Sequence, residues 1–427
     1  MADLLDPVAG LVLELEVGPV AHGGHCVARH EGRVVFVRHA LPGERVRARV
    51  TEDKGGAFCR ADAVEVLRAS PDRVEAPCPY AGPGLCGGCD WQHAAPSAQR
   101  VLKGAVVREQ LARLGGLSDL ELDALGLPDG WAVEELPGAP DGLGWRTRVQ
   151  FAVDGAGVVG LRRHRSHDVI PVEACPIAVA AVNDVGVTGA RWPGVESVEV
   201  VASSVGDRAV VVAPLSKRPE LPEDVALLDG GGRGPAQPVH GHARVRERAA
   251  GRTWLVHADG FWQVHPAAAD TLVDAVRDAL APAAGDSLLD LYSGAGLFAG
   301  ALAPRVGSVV TIESGRSAVA DARRNLRDLP SVRIEQGRVE VVLRRLGLSR
   351  ADLVVLDPTR AGAGAKVVEE VTALRPRAVA YVACDPAALA RDVRTFAGHG
   401  YRLAGLRGFD AFPMTHHVEC VATLVPA

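Results

Sequence analysis

Apolar and polar residues follow four different rhythms along this chain. From about Leu11 to Ala69 they alternate in short runs, LVLELEVG, GRVVFVRH, ERVRARVTE and CRADAVEVL, separated by HGGH, LPGE and KGG. A period of two broken by turn residues predicts a small antiparallel barrel. Arg33, Arg38, Arg45, Arg47 and Arg49 alternate with the strand residues, so they share either a face toward a phosphate backbone or a plain solvated face. Next come CPYAGPGLCGGCDWQH and then SAQRVLKGAVVREQLARLG, whose apolar positions recur at helical spacing. From about Leu136 to Ala258 the text is strand-like again (RTRVQFAVDG, VVGLRRHR, VESVEVVAS, RAVVVAPL, RTWLVHADG), with a glycine-rich break at Gly230–Gly234. That break reads as a loop or short insertion. Beyond Phe261 strands alternate with helices, which predicts an α/β domain with a doubly wound parallel sheet. The resulting division is 11–70, a small barrel; 71–125, a cysteine-bearing segment and linking helix; 126–260, a central β-rich region; and 261–427, the α/β domain.

At 427 residues the chain is long enough for several domains, each with its own core. Its formal net charge of −5 argues against a protein that coats nucleic acid indiscriminately, while leaving room for a local basic groove. The opening MADLLDPVAGLVLELEV lacks a basic leader region, and no apolar stretch reaches the length of a membrane span. A soluble, cytoplasmic protein is expected, with no membrane and no protein partner implied. Among the cysteines, Cys26, Cys59 and Cys420 stand apart, whereas Cys78, Cys86 and Cys89 lie close together. In a reducing compartment such a cluster points to metal binding before disulfides.

The run DSLLDLYSGAGLFAGALA reads as an apolar strand to Asp290, a turn through Gly294 and Gly296, and a helix. Glycines there let backbone approach a ligand beside a helix N-terminus. About twenty residues later GSVVTIES ends at Glu313, placed to accept from the two hydroxyls of a ribose. A nicotinamide cofactor would use the same geometry, and Ala299 fits its third glycine position, so this half alone leaves both cofactors open. Two further strands end in reactive residues, ADLVVLDPTRAG at Asp357 and RAVAYVACDPAALARD at Cys384. Ligands of open α/β sheets bind at the carboxyl ends of strands, so Asp290, Glu313, Asp357 and Cys384 should converge on one crevice. Cys384 precedes a helix start, where the helix dipole favours a thiolate. In GFDAFPMTHHVECVATLV, Glu419 enters the last strand, a setting that invites a raised pKa and general-base work. His416 and His417 show no metal-ligand spacing and are equally readable as structural.

A thiol and a base together suit methylation at carbon 5 of a uracil. Adding a thiolate to carbon 6 turns carbon 5 into a nucleophile toward a methylsulfonium, and a base must then remove the carbon 5 proton. The reactive residues therefore favour S-adenosylmethionine over a nicotinamide.

The chain resembles the RNA uridine-5-methyltransferases, particularly the iron-sulfur ribosomal RNA members with an N-terminal TRAM domain. The resemblance runs through ALPGE, SPDR, CPxxxxxxCGGCDWQH, FWQVHP, LLDLYSGAG, LDPTRAG, YVACDPAALARD and FPMTHHVE. It implies a class I methyltransferase domain, Cys384 as nucleophile, Glu419 as base, and Gln263, Tyr292, Glu313 and Asp357 around the cofactor and target base. It also implies that Cys78, Cys86, Cys89 and Cys175 hold a [4Fe-4S] cluster, with a zinc ion as the alternative for four thiolates. This chain departs from the family's usual SCNP (here ACDP), FFQVN (here FWQVH, with His265 for an amide) and DPPR (here Thr359). It also has Leu297 where a polar residue is common after the glycine turn, and Arg338 where an Asp or Asn is common after Gly337. RNA, most simply ribosomal RNA, would dock on the barrel and on Arg146, Arg148, Arg162, Arg163 and Arg165, with the target uridine flipped into the crevice. The rival readings are a cytosine-5 methyltransferase and a noncatalytic RNA-binding or iron-sulfur sensing protein on the same fold.

Overall fold

The computed structural model describes residues 9–215 and 220–427. The opening residues 1–8, part of the segment read as lacking a leader, lie outside the described residues.

The first rhythm folds into a five-stranded sheet in the order Val12–Glu16, Arg45–Asp53, Phe58–Arg68, Arg33–Arg38, Cys26–His30. All its pairings are antiparallel except Arg33–Arg38 with Phe58–Arg68, which is parallel. Closure comes just after the first strand, where Gly18 N–H donates to Val27 O (2.8 Å) and Val27 N–H to Pro19 O (2.9 Å). Leu13, Leu15, Val46, Ala48 and Val50 point inward from alternate positions, the side-chain period that a strand imposes. Cys26 and Cys59 belong to this core and act as small apolar residues.

Helix Pro96–Gln110 follows and ends in a π turn, Leu111–Gly115. The central region is a seven-stranded sheet, from Gln237–His240 at one edge through Val225–Asp229, Arg208–Ala213, Ser197–Ala202, Arg148–Val153 and Val159–Arg162 to Val169–Pro171. Gly230–Gly234 lies in the connection between two of its strands.

The last and largest sheet has eight strands in the order Val332–Gln336, Ser308–Glu313, Ser287–Leu291, Leu353–Leu356, Ala378–Ala383, Glu419–Pro426, Tyr401–Asp410, Glu134–Glu135. The first five are parallel; Glu419–Pro426 runs against them, and Tyr401–Asp410, antiparallel to Glu419–Pro426, runs with them. Its strands read as continuous apolar runs because both faces are buried. Leu289, Leu291, Val354 and Leu356 face one helical layer, while Leu288, Leu353, Val355 and Ala380 face the other. Two earlier pieces pack on this sheet: Glu134–Glu135 extends its edge, and the hairpin Arg244–Ala249/Arg252–His257 buries Trp254 in one of its cores. Asn325 fastens the hairpin by accepting from Leu255 N–H (2.9 Å) and donating to Leu255 O (3.1 Å). No described helix is long and apolar enough to cross a membrane.

Candidate active site

The chain order reverses between strands Ser287–Leu291 and Leu353–Leu356, and a crevice opens at the carboxyl ends of strands at such a switch point. Asp290 lies in the first of these strands, and Asp357 follows the second directly. Asp290 is fully buried; one oxygen accepts from Ala299 N–H (2.9 Å) and the other has no partner among the described residues. Ser293 Oγ is likewise buried and unpaired. These orphaned atoms fit a ligand with polar ends, since buried polar groups are normally satisfied. Glu313 Oε2 accepts from Gly294 N–H (3.1 Å) and Oε1 from Gly315 N–H (2.5 Å), so its carboxylate borders the glycine turn. Gly296 caps the helix Leu297–Leu302 at φ +93°, and a Cβ there would come within 2.7 Å of Leu326, so only glycine suits the position.

Tyr292 adopts φ +65° at the strand end, a costly conformation for a non-glycine residue. It lines a 470 Å³ cavity with Ser314, Gly337, Arg338, Glu340 and Lys366, a volume suited to a nucleoside-sized ligand. Arg338 pairs with Glu340, so Glu340 brings to this cavity a carboxylate that no motif in the sequence singles out. Gln263 is buried in the segment between the hairpin and helix Ala268–Leu280. Its neighbour His265 stacks on Trp145 and is pushed down to about 4 by burial.

The reactive groups meet across the ladder. Ala383 pairs with Cys420, so Cys384, which leaves the strand just after this pair, and Glu419, which opens the facing strand, lie at the same end of the ladder. Burial, then Glu419 and Asp357, push the Cys384 thiol up to about 11. Burial and then Asp357 hold Glu419 well above the usual carboxylate range. Asp357 and Asp290 are each pushed up to about 7, first by burial and then by neighbouring carboxylates. The four side chains form one coupled acidic group. Against the thiolate that a helix start favours, burial and two carboxylates outweigh Arg360.

A 180 Å³ cavity at Cys384 is lined by Arg360, Asp385, His416 and His417, and also by His22, Gly23 and Gly24 of the barrel. His417 is pushed down to about 3 by burial, His416 and Arg360, and is therefore an uncharged ring. The loop carrying both histidines is held by the cysteine-rich segment. Asp90 and Trp91 N–H groups both donate to Met414 O (3.0 Å), and Asp90 Oδ2 accepts from His416 N–H (3.1 Å) and lies 2.6 Å from its Nδ1.

The thiols of Cys78, Cys86, Cys89 and Cys175 interact electrostatically, and their pKa values are raised chiefly by burial, that of Cys89 to about 12. Gly88 N–H donates to Cys86 Sγ (3.4 Å), and Gln92 Nε2 to Cys89 Sγ (3.3 Å). Among the described residues no three His, Cys, Asp or Glu side chains are arranged to hold a metal ion.

The arginines sort themselves. Arg33 is buried and paired with Asp53, and Arg148 is buried and donates to Ala258 O (3.0 Å) and Gly260 O (2.7 Å). Neither is free for a phosphate. Arg45 pairs with Glu14 and Glu16, and Arg47 with Glu65. Arg38, Arg49, Arg60, Arg163 and Arg165 line a 670 Å³ groove with Glu52 and Asp62, where Arg60 and Arg165 pair with Glu52, Arg163 with Asp168 and Arg38 with Asp90. Arg60 was not among the sequence candidates.

The strand order and the crevice define a class I methyltransferase fold. The tRNA (uracil-5-)-methyltransferase family model matches residues 244–426, and the TRAM domain model matches residues 9–64. An uncharacterized RNA methyltransferase of Streptomyces avermitilis is 58% identical over 97% of this chain and 98% of its own length. Another, from Streptomyces coelicolor, is 56% identical over 99% of this chain and 95% of its own. The crystal structure of Pyrococcus abyssi tRNA (uracil-54, C5)-methyltransferase with S-adenosyl-L-homocysteine shares the fold at TM-score 0.71 and 23% identity, covering 96% of this chain and 99% of that one. The chain belongs to the RNA (uracil-5-)-methyltransferase family. It is an enzyme that methylates RNA with S-adenosylmethionine as donor.

Proposed function

We propose that this enzyme methylates carbon 5 of a uridine through a covalent adduct on Cys384. The observation that carries this reading is that Cys384 and Glu419 adjoin the last ladder pair, Ala383 with Cys420, and interact electrostatically. S-adenosylmethionine supplies an electrophilic methyl group. Asp290, Glu313, Asp357, Gln263, Tyr292 and the Gly294–Gly296 turn hold it at the switch point, where Asp290 and Ser293 carry unsatisfied buried atoms. Cys384 releases its proton to solvent as its sulfur bonds to carbon 6 of the flipped base, carbon 5 takes the methyl group as that group's bond to the donor sulfonium breaks, and Glu419, ionised once the sulfur is uncharged, accepts the proton of carbon 5 as the carbon–sulfur bond breaks. The proton on Glu419 then passes to the departing thiolate, and the thiol is restored.

Residues 11–70 and the arginine groove hold the RNA backbone, and residues 261–427 carry the chemistry. We take the substrate to be ribosomal RNA, and the site of action the cytoplasm, from the motif set shared with the iron-sulfur ribosomal members. Cys78, Cys86, Cys89 and Cys175 would hold the [4Fe-4S] cluster. Support comes from their mutual electrostatic coupling and from N–H donors aimed at two of the sulfurs, a pattern suited to cluster sulfurs. Anaerobically prepared protein is expected to contain about four irons and four sulfides per chain, lost together in Cys89→Ala.

The function is tested with tritiated S-adenosylmethionine and RNA from cells lacking the protein, followed by nucleoside mass spectrometry. Labelled 5-methyluridine from wild type, and none from Cys384→Ala, is the expected result. Labelled 5-methylcytidine, or full turnover by Cys384→Ala, overturns it.

A further inference from the structure

The barrel reaches the catalytic thiol. Its turn Ala21–Gly24, closed by Gly24 N–H to Ala21 O (3.1 Å), forms one side of the 180 Å³ cavity at Cys384. His22 Nε2 lies 3.1 Å from Asp385 Oδ2, a contact between residues 363 positions apart. Asp385 follows the nucleophile directly and caps helix Pro386–Gly398, its Oδ1 accepting from Ala388 N–H (2.7 Å). One carboxylate thus ties the helix start to the barrel. Burial acts to raise Asp385, yet the hydrogen bonds from His22 and Ala388 hold it below the usual carboxylate range.

The turn cannot drift from this position. Trp91 Nε1 donates to Gly24 O (3.0 Å), and Gly24 sits at φ +80° so close to His416 that a Cβ would approach its Cβ to 2.6 Å.

Resting on the covalent mechanism above, we propose that the barrel turn is a wall of the catalytic cavity. His22 is its positioning residue, holding Asp385 and thereby the backbone turn that presents Cys384. The barrel then contributes to the chemical step and not only to RNA docking. A charge-assisted hydrogen bond exposed on one side gives part of its full strength.

The test uses full-length wild type, His22→Ala and His22→Gln. Single-turnover methyl transfer and filter binding use RNA from cells lacking the protein. Iodoacetamide labelling of Cys384 without RNA is read by mass spectrometry of its peptide. His22→Ala is expected to slow the single turnover about tenfold, equivalent to about 1.4 kcal/mol, while RNA affinity and melting temperature stay within error of wild type. The glutamine amide can donate to the same oxygen, so His22→Gln recovers most of the rate. Labelling of Cys384 rises severalfold in His22→Ala because the wall is loosened. An unchanged turnover and labelling rate overturns the proposal, as does a loss confined to RNA affinity. If wild type itself transfers no methyl group, the functional reading fails, and the labelling comparison alone still decides the role of His22.

Discussion

With its thiol pushed up to about 11, Cys384 is protonated in the resting enzyme, and ionising it beside an ionised Glu419 would place two negative charges in one buried site. The pair therefore holds at most one charge comfortably, and its titration belongs to both groups. Covalent addition resolves the conflict. Once sulfur is bonded to carbon 6 its charge is gone, nothing on sulfur opposes the ionisation of Glu419, and the base appears when carbon 5 has a proton to lose. Glu419→Gln should therefore separate the two roles. Methylation turnover is expected to fall by about a hundredfold or more, while iodoacetamide labelling of Cys384 at pH 8 should become faster because one repelling carboxylate is removed. In wild type, labelling should rise about tenfold per pH unit up to about pH 11, as the thiolate fraction grows. Slower labelling in Glu419→Gln would contradict the coupling. The sequence singled these groups out as candidates because Cys384 follows a strand end and Glu419 opens the last strand. Their pKa directions were not legible, because the helix start beside Cys384 is local while the carboxylates that oppose it arrive from other strands.

At the scale of elements, the histidine loop between Tyr401–Asp410 and Glu419–Pro426 is braced from helix Pro96–Gln110. Lys103 is fully buried there and donates to Asp410 Oδ1 (2.5 Å) and Phe412 O (3.0 Å). Burial lowers its pKa and Asp410 partly restores it. Lys103→Met leaves Asp410 buried without its cation, which costs about 3–5 kcal/mol for a pair of this kind. Denaturant unfolding should show that loss, and the double variant Lys103→Met/Asp410→Leu should recover much of it, since two apolar groups leave no orphaned charge. If the double variant is no more stable than the single one, the pair is not the brace. Helical spacing was enough to place this helix. It could not show that Lys103 points inward, because its partner lies 307 residues away. The same distance concealed Asp90, whose hydrogen bonds to His416 join the cysteine segment to this loop.

Across the whole molecule, period-two alternation located the barrel, and apolar strands alternating with helices located the doubly wound sheet, because those rhythms record which faces are buried. Which arginines meet in space was not recorded. Arg33 and Arg38 share a strand, yet Arg33 closes on Asp53 while Arg38 reaches the groove that Arg49, Arg60, Arg163 and Arg165 also line. Five arginines line it with Glu52 and Asp62, and Asp168 and Asp90 pair with Arg163 and Arg38, which leaves a small local excess of positive charge on a chain of net charge −5. Arg163 and Arg165 reach it from the central region and Arg49 and Arg60 from the barrel, so RNA seated in the groove would bridge the two. His25 and His164, both pushed down to about 4 chiefly by burial, add no charge at neutral pH. Replacing both Arg163 and Arg165 by Glu should weaken RNA binding uniformly across sequences. It should also reduce the slope of log affinity against log salt by about 0.7–0.9 for each phosphate that is no longer neutralised. The internal control is Arg33→Gln, whose buried side chain touches no solvent-facing phosphate path; it should change stability and leave the salt slope alone. An unaltered slope in the double Glu variant would move the RNA to another face, whereas a reduced slope with an unchanged single-turnover rate at saturating RNA would separate docking in this groove from positioning at Cys384.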